Sequence, residues 1–232
     1  LRRRWWLTAL GVTGCLIMFM ISAQKTIIML PVALYAIHFA MQRPAVFRTT
    51  AFGLVALAVT VIWMSSAYVD NLVVTLAASM LVFRTLALPG LTFSQYYDLF
   101  SEGGFTWWSH VKGLNLLIPT PESYVEDELW PNLGYMIGER LYGSVDYNGN
   151  ANLFSGDGVA AAGALGVGVI GLVLAIWLFW LDKASRGWDR RFAILVTLPI
   201  ALALTNGHFF TTLLSFGGLF WMLTFFLYKP RG

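Results

Sequence analysis

The stretch GVAAAGALGVGVIGLVLAIWLFWL, Gly158–Leu181, decides the fold class, because it contains no charge, no side-chain amide and no proline. A helix rises about 1.5 Å per residue and the hydrocarbon core of a bilayer is about 30 Å thick, so about 20 such residues cross it. Outward from this stretch, uncharged runs recur at Trp5–Ala23, Thr26–Met41, Thr50–Tyr68, Phe192–Thr205 and His208–Tyr228. The pattern predicts an all-α, polytopic transmembrane helix bundle of about six spans, forming one membrane domain over residues 1–232. A long, partly helical loop, 70–156, interrupts it. Asn206 and Gly207 place a tight turn between the last two runs.

Composition agrees: 58% of the residues are hydrophobic and 12% charged, where a soluble domain carries about 25% charged residues. The single Cys15 excludes a disulfide framework within the chain and a cysteine-based zinc cluster. Lys and Arg exceed Asp and Glu only 15 to 12, and no basic stripe interleaves with aromatics, which excludes a nucleic-acid partner. Because the chain begins at Leu1 rather than Met, further spans are expected upstream.

Orientation follows from the basic residues, which are retained in cytoplasmic loops. Arg2, Arg3, Arg4, Arg43, Arg48, Lys183, Arg186, Arg190, Arg191, Lys229 and Arg231 fall on one side of a six-span chain, and Lys25, Arg84, Lys112 and Arg140 on the other. This bias predicts that both termini are cytoplasmic and that loop 70–156 faces outward. Ten of the twelve acidic residues, Asp70 to Asp157, then share that outer side.

Chemistry belongs to the outer loop, since connections longer than about 12–15 residues are usually functional or disordered and this one is rich in Trp, Tyr and Leu. Leu72–Phe83 is apolar but too short to span, which suits a helix on the outer face that ends at Arg84; Pro89-Gly90 then predicts a turn. Tyr96, Tyr97, Trp107 and Trp108 suit interfacial anchors equally with substrate contacts. Glu122, Glu126, Asp127 and Glu128 read as a solvated face, and with no calcium-loop pattern no metal is expected. Asn148, Asn150 and Asn152 offer paired donors and acceptors that suit sugar hydroxyls, and Asp157 reads as a helix N-cap or a catalytic carboxylate. His38 lies inside an apolar run, whereas His110 in the loop and His208 at the outer turn are placed to exchange protons. No nucleophile elbow, P-loop, zinc-protease helix or dinucleotide fingerprint occurs.

Phe83-Arg84 through Leu88-Pro89-Gly90, Tyr96-Tyr97-Asp98-Leu99-Phe100, and Asn150-Ala151-Asn152 with Asp157-Gly158 leading into Gly163 and Gly166 together resemble the bacterial O-antigen polymerase family, the oligosaccharide repeat unit polymerases. The resemblance covers about Leu81 to Gly171. Members carry around ten or more spans, against six here, which fits a C-terminal piece. The resemblance implies an inner-membrane glycosyltransferase that joins undecaprenyl-pyrophosphate-linked repeat units for a surface polysaccharide. It implies no cofactor, and as partners the lipid-linked glycan, membrane lipids and a chain-length regulator. Under it, Arg84 and Arg140 would bind pyrophosphate, Tyr96, Tyr97, Asn148, Asn150 and Asn152 would bind the glycan, and Asp98, Glu102, His110 or Asp157 would act as base. An O-antigen ligase would use the same donor with another acceptor. A transporter of polysaccharide or lipid-linked oligosaccharide would instead place ionisable groups inside the spans.

Overall fold

Two largely apolar runs, Leu72–Ala87 and Gly158–Leu181, organise the helices on either side of the long loop. The computed structural model describes residues 5–22, 25–42, 45–66, 72–149 and 152–228. Among them there is no β-strand, only an isolated bridge between Phe154 and His208. The chain runs through α1 (Trp5–Ser22), α2 (Lys25–Ala40), α3 (Val46–Ser66), α4 (Leu72–Val82), a π-helical turn (Phe83–Ala87), α5 (Leu88–Gly103), α6 (Glu122–Val125), α7 (Leu133–Tyr142), α8 (Gly156–Ser185), α9 (Arg190–Leu204), α10 (Phe209–Leu214) and α11 (Gly218–Leu227). The architecture is all-α over the described residues. Of these helices α8 is the one long and apolar enough to cross a membrane; shorter apolar stretches lie at Trp5–Ile21, Ile27–Ala40, Thr50–Thr60 and Gly218–Leu227.

α8 is broken near its start. Ala162 (φ −156°, ψ 29°) and Gly163 (φ 59°, ψ −137°) leave helical geometry, so a short segment before the break turns back on the long segment after it. Residues eight apart in a straight helix are separated by about 12 Å, yet Gly158 and Gly166 touch backbone to backbone, and a Cβ on either would overlap the other's carbonyl. The break frees the carbonyls of Ala160 and Ala161. They accept the N–H groups of Thr106 and Trp107 at 2.9 and 3.1 Å, which pins the loop after α5 to the start of α8. The stretch that can cross a membrane therefore lies beyond Gly163.

Three sequence expectations are corrected. Arg84 does not end a helix and Pro89-Gly90 is not a turn, because the helical path continues from Leu72 to Gly103. Pro89 has no N–H to donate, and its ring would crowd the carbonyl four residues back. The π turn just before it opens the ladder, with Leu88 N–H bonding to the Phe83 carbonyl five residues back, so the proline is carried as an early residue of α5. The run His208–Tyr228 is not one helix either: it divides into α10 and α11 around Gly217 (φ 82°), a left-handed conformation natural to glycine.

α5 and α11 pack on α8, α1 packs on α2, and α2 on α9. One core gathers Tyr96, Phe100, Tyr124, Met136, Ile137 and Val159 and packs the long loop over the start of α8. A second, of Ile170, Trp177, Ile200 and Phe209, lies between α8, α9 and α10. The site lies where these two cores meet.

Candidate functional site

Three segments far apart in sequence meet at Asp157. Thr106 and Trp107, held to the broken turn of α8, start the loop that returns His110 toward α8. Phe154 N–H bonds to the Gly207 carbonyl at 3.1 Å and Phe209 N–H to the Phe154 carbonyl at 3.2 Å, and this bridge brings His208 from the α9–α10 turn to the same place. Trp107 (φ 49°), Trp108 (φ 66°), Leu153 (φ 47°) and Phe154 (φ 59°) hold left-handed backbones, each costing on the order of 1–3 kcal/mol. All four flank the site, and the hydrogen bonds of Trp107 and Phe154 help to hold two of them there.

Oδ1 of buried Asp157 lies 3.3 Å from His110 Nε2 and 3.3 Å from His208 Nδ1. Its Oδ2 accepts the Phe210 backbone N–H at 2.9 Å. The second nitrogen of each ring faces a hydroxyl: His110 Nδ1 lies 2.8 Å from Thr106 Oγ1, and His208 Nε2 lies 3.2 Å from the Tyr96 phenol. Thr106 and Tyr96 are fully buried. Burial alone would raise the pKa of Asp157, but the charge attraction of the adjacent imidazoles, His208 foremost, and the hydrogen bond from His110 outweigh it and hold the carboxyl below the usual carboxylate range. Burial, reinforced by the negative charge of Asp157, pushes the Tyr96 phenol above its ordinary value, so it stays protonated.

Beside this cluster opens a cavity of about 260 Å³. Asp157, His110 and His208 line it together with Asn148, Asn132 and Lys112. The arrangement presents a carboxylate that can accept a proton or hydrogen bond, amides that suit hydroxyls, and an exposed ammonium.

Of the residues expected from sequence, His110, His208, Asp157 and Asn148 meet at this cavity. Tyr96 and Asn152 are also at the site but fully buried behind it, so they support it rather than face a ligand. Tyr97 is half-exposed and packs near Gly163. Asp98 and Glu102 lie exposed on α5, Asp98 accepting a 3.4 Å hydrogen bond from Ser94. Arg84 is exposed on the π turn and is not part of the cavity wall. Arg140 pairs with Asp127 at 2.9 Å and lies over the Tyr124 ring, also away from the cavity. Asn150 lies outside the described residues. Lys112 and Thr106 were missed; a lysine two residues after a loop histidine is the signal that points to the first, and nothing in the sequence marks the second. Among the described residues no cluster of His, Cys, Asp or Glu fits a metal ion. No family model, curated protein or solved structure matches the chain.

Proposed function

We propose that the chain is a multi-pass membrane glycosyltransferase that polymerises undecaprenyl-pyrophosphate-linked repeat units, with six spans, both termini cytoplasmic and its reaction at the outer face. The convergence of Asp157, His110, His208, Asn148 and Lys112 on one cavity at the end of the apolar helix α8 carries this reading. A lipid-linked sugar needs polar groups at the end of an apolar bundle, and the cavity supplies them there. Extensive apolar exposure on α1 and α3, including Trp5, Met20, Phe52 and Trp63, supports a lipid environment, since soluble monomers seldom expose contiguous apolar surface on this scale.

In the reaction, an acceptor sugar hydroxyl attacks the anomeric carbon of the growing glycan. A new C–O bond forms there as the bond to pyrophosphate breaks, the hydroxyl proton passes to Asp157, and undecaprenyl pyrophosphate leaves. Such transfer has oxocarbenium character, so the hydroxyl becomes acidic as the new bond forms, and a carboxylate of low pKa is base enough. Lys112 meets the charge that grows on the leaving pyrophosphate. A ligase would share every one of these steps and differ in its acceptor.

The test is transfer in membranes that contain the lipid-linked repeat unit and no other polymerase. The chain should build a glycan ladder, and Asp157→Asn at equal membrane level should reduce it at least 100-fold, as expected for loss of a general base. Absence of a ladder with the unaltered chain, or full activity in Asp157→Asn, overturns the proposal.

A further inference from the structure

We infer that the turn at residues 113–118 docks into the bilayer, with Leu116 and Leu117 seated between the headgroups and upper acyl chains of the leaflet that meets the start of α8. The inference rests on the reading that α8 crosses a membrane and is independent of the transfer reaction.

Residues 103–121 carry one charged side chain, Lys112, and no carboxylate. Ser109, His110 and Val111 are buried against the site, and Gly113 (φ 96°) then takes a left-handed backbone that opens the turn. The turn is closed by its own hydrogen bonds. Gly113 N–H donates to Asn115 Oδ1 at 3.0 Å, Asn115 N–H to the Val111 carbonyl at 3.1 Å, and the N–H groups of Leu117 and Ile118 both to the Leu114 carbonyl at 2.9 Å. What this closed turn holds outward is a pair of leucines, Leu116 at 85% and Leu117 at 82% exposure. Turns that end in water favour Gly, Pro, Asn, Asp and Ser, so adjacent leucines at such a tip fit an apolar medium instead.

The root of the loop says which medium that is. Thr106 and Trp107 donate to the carbonyls of Ala160 and Ala161, just before Gly163, where the stretch able to cross a membrane begins. The loop therefore leaves α8 at the level where that helix enters the bilayer. Exposed Trp107 stands at this root, and an indole suits the headgroup layer. Exposed Lys112 stands between root and tip, where an ammonium suits lipid phosphates, and no carboxylate in 103–121 opposes an anionic surface. Aromatic root, cationic flank and apolar tip together match an element that lies in the interface.

The consequence reaches the site, because Val111 and Lys112 line the cavity and lead directly into the turn. Docking holds the cavity mouth at the bilayer surface. A lipid-linked ligand can then enter with its chain still in the leaflet and its phosphate at the height of Lys112.

Spin-label depth measurement on the full chain tests this, in nanodiscs of phosphatidylcholine and phosphatidylglycerol. Single cysteines in a Cys15→Ser background carry the nitroxide at Leu117, with Leu116→Cys as an independent reading of the same tip. Leu172→Cys on α8 and Glu126→Cys in the long loop, both exposed, serve as lipid and water references. Collisions with oxygen, which partitions into lipid, are compared with those of a water-soluble nickel chelate. The Leu117 label should lie about 5–10 Å below the phosphates, shallower than Leu172. A Leu117 label as open to nickel as Glu126, with Leu172 in lipid, overturns the inference alone. A label shielded from both reagents overturns it in favour of a protein partner on the turn. Nickel access at Leu172 overturns it together with the membrane reading beneath it. Because none of these readouts is glycan transfer, the inference and the polymerase proposal fail separately.

Discussion

Lys112 and Arg140 differ in what already holds them, and that difference predicts their roles. The Arg140 guanidinium donates to Asp127 at 2.9 Å, so its charge is engaged before any ligand arrives. Lys112 projects at the cavity wall, where a phosphate could meet it. Under the proposed reaction, Lys112→Gln should weaken use of the lipid-pyrophosphate donor about tenfold, the effect of losing roughly 1.4 kcal/mol of charge attraction, with membrane level unchanged. Arg140→Ala should lower the melting temperature by removing a partly exposed ion pair worth about 0.2–1 kcal/mol, and leave donor use near the parent value. Donor titration of both purified variants checks this; an Arg140→Ala defect in donor use with a normal Lys112→Gln would return the phosphate role to the sequence-based choice. Arg84→Lys belongs in the same series, since an ammonium cannot reproduce a bidentate guanidinium contact and a loss there would mark Arg84 as a phosphate ligand.

At the scale of elements, the break in α8 makes the site, and its glycines separate by position. Gly158 and Gly166 are in backbone contact, whereas Gly168 and Gly171 face open space. Gly158→Ala or Gly166→Ala should therefore destabilise by about 1–3 kcal/mol or more through overpacking, and both should disturb Asp157, which sits one residue before Gly158. Gly168→Ala and Gly171→Ala should be neutral or stabilising by up to about 1 kcal/mol, since alanine favours a helix. Thermal unfolding of the four variants checks the contrast, and equal effects at all four would mean the two segments of α8 do not touch. The sequence made the helix legible through its unbroken apolar run, but not the break, because Gly163 is one of several glycines in that run and only tertiary contacts with Phe105 and Tyr97 single it out. For the same reason Asp157 and His110 were each visible as candidates while their meeting was not. They stand 47 residues apart, and His208 enters through a bridge to Phe154 that leaves no periodic trace. The π turn escaped because Pro89-Gly90 ordinarily marks a turn; a widened ladder one residue earlier reverses that rule.

For the molecule as a whole, the unbroken helical path from Leu72 to Gly103 bears on which face of the membrane each segment would meet in the proposed arrangement. If that path crossed the bilayer, one more crossing would separate the Arg43–Arg48 segment from the outer loop. Keeping Lys183, Arg186, Arg190 and Arg191 cytoplasmic would then put Arg2, Arg3, Arg4, Arg43 and Arg48 outside, and the basic residues would no longer favour either face. The six-span arrangement retains the bias of eleven to four, and it requires α4 and the π turn to enter only the outer end of the bundle, where Arg84 is exposed and reaches headgroups. Single cysteines in a Cys15→Ser background distinguish the two with an impermeant thiol reagent applied from outside. Glu126→Cys should label and Arg186→Cys should not in either arrangement, which makes them controls for the outer loop and for the turn between α8 and α9. Arg48→Cys is the deciding position: protection places the start of α3 in the cytoplasm and supports six spans, whereas labelling would make Leu72–Gly103 a seventh crossing and move Arg84 toward the middle of the membrane. Arg84 would then be a charge held inside the bundle, which costs about 2.5–3.5 kcal/mol at a helix centre and marks a functional residue.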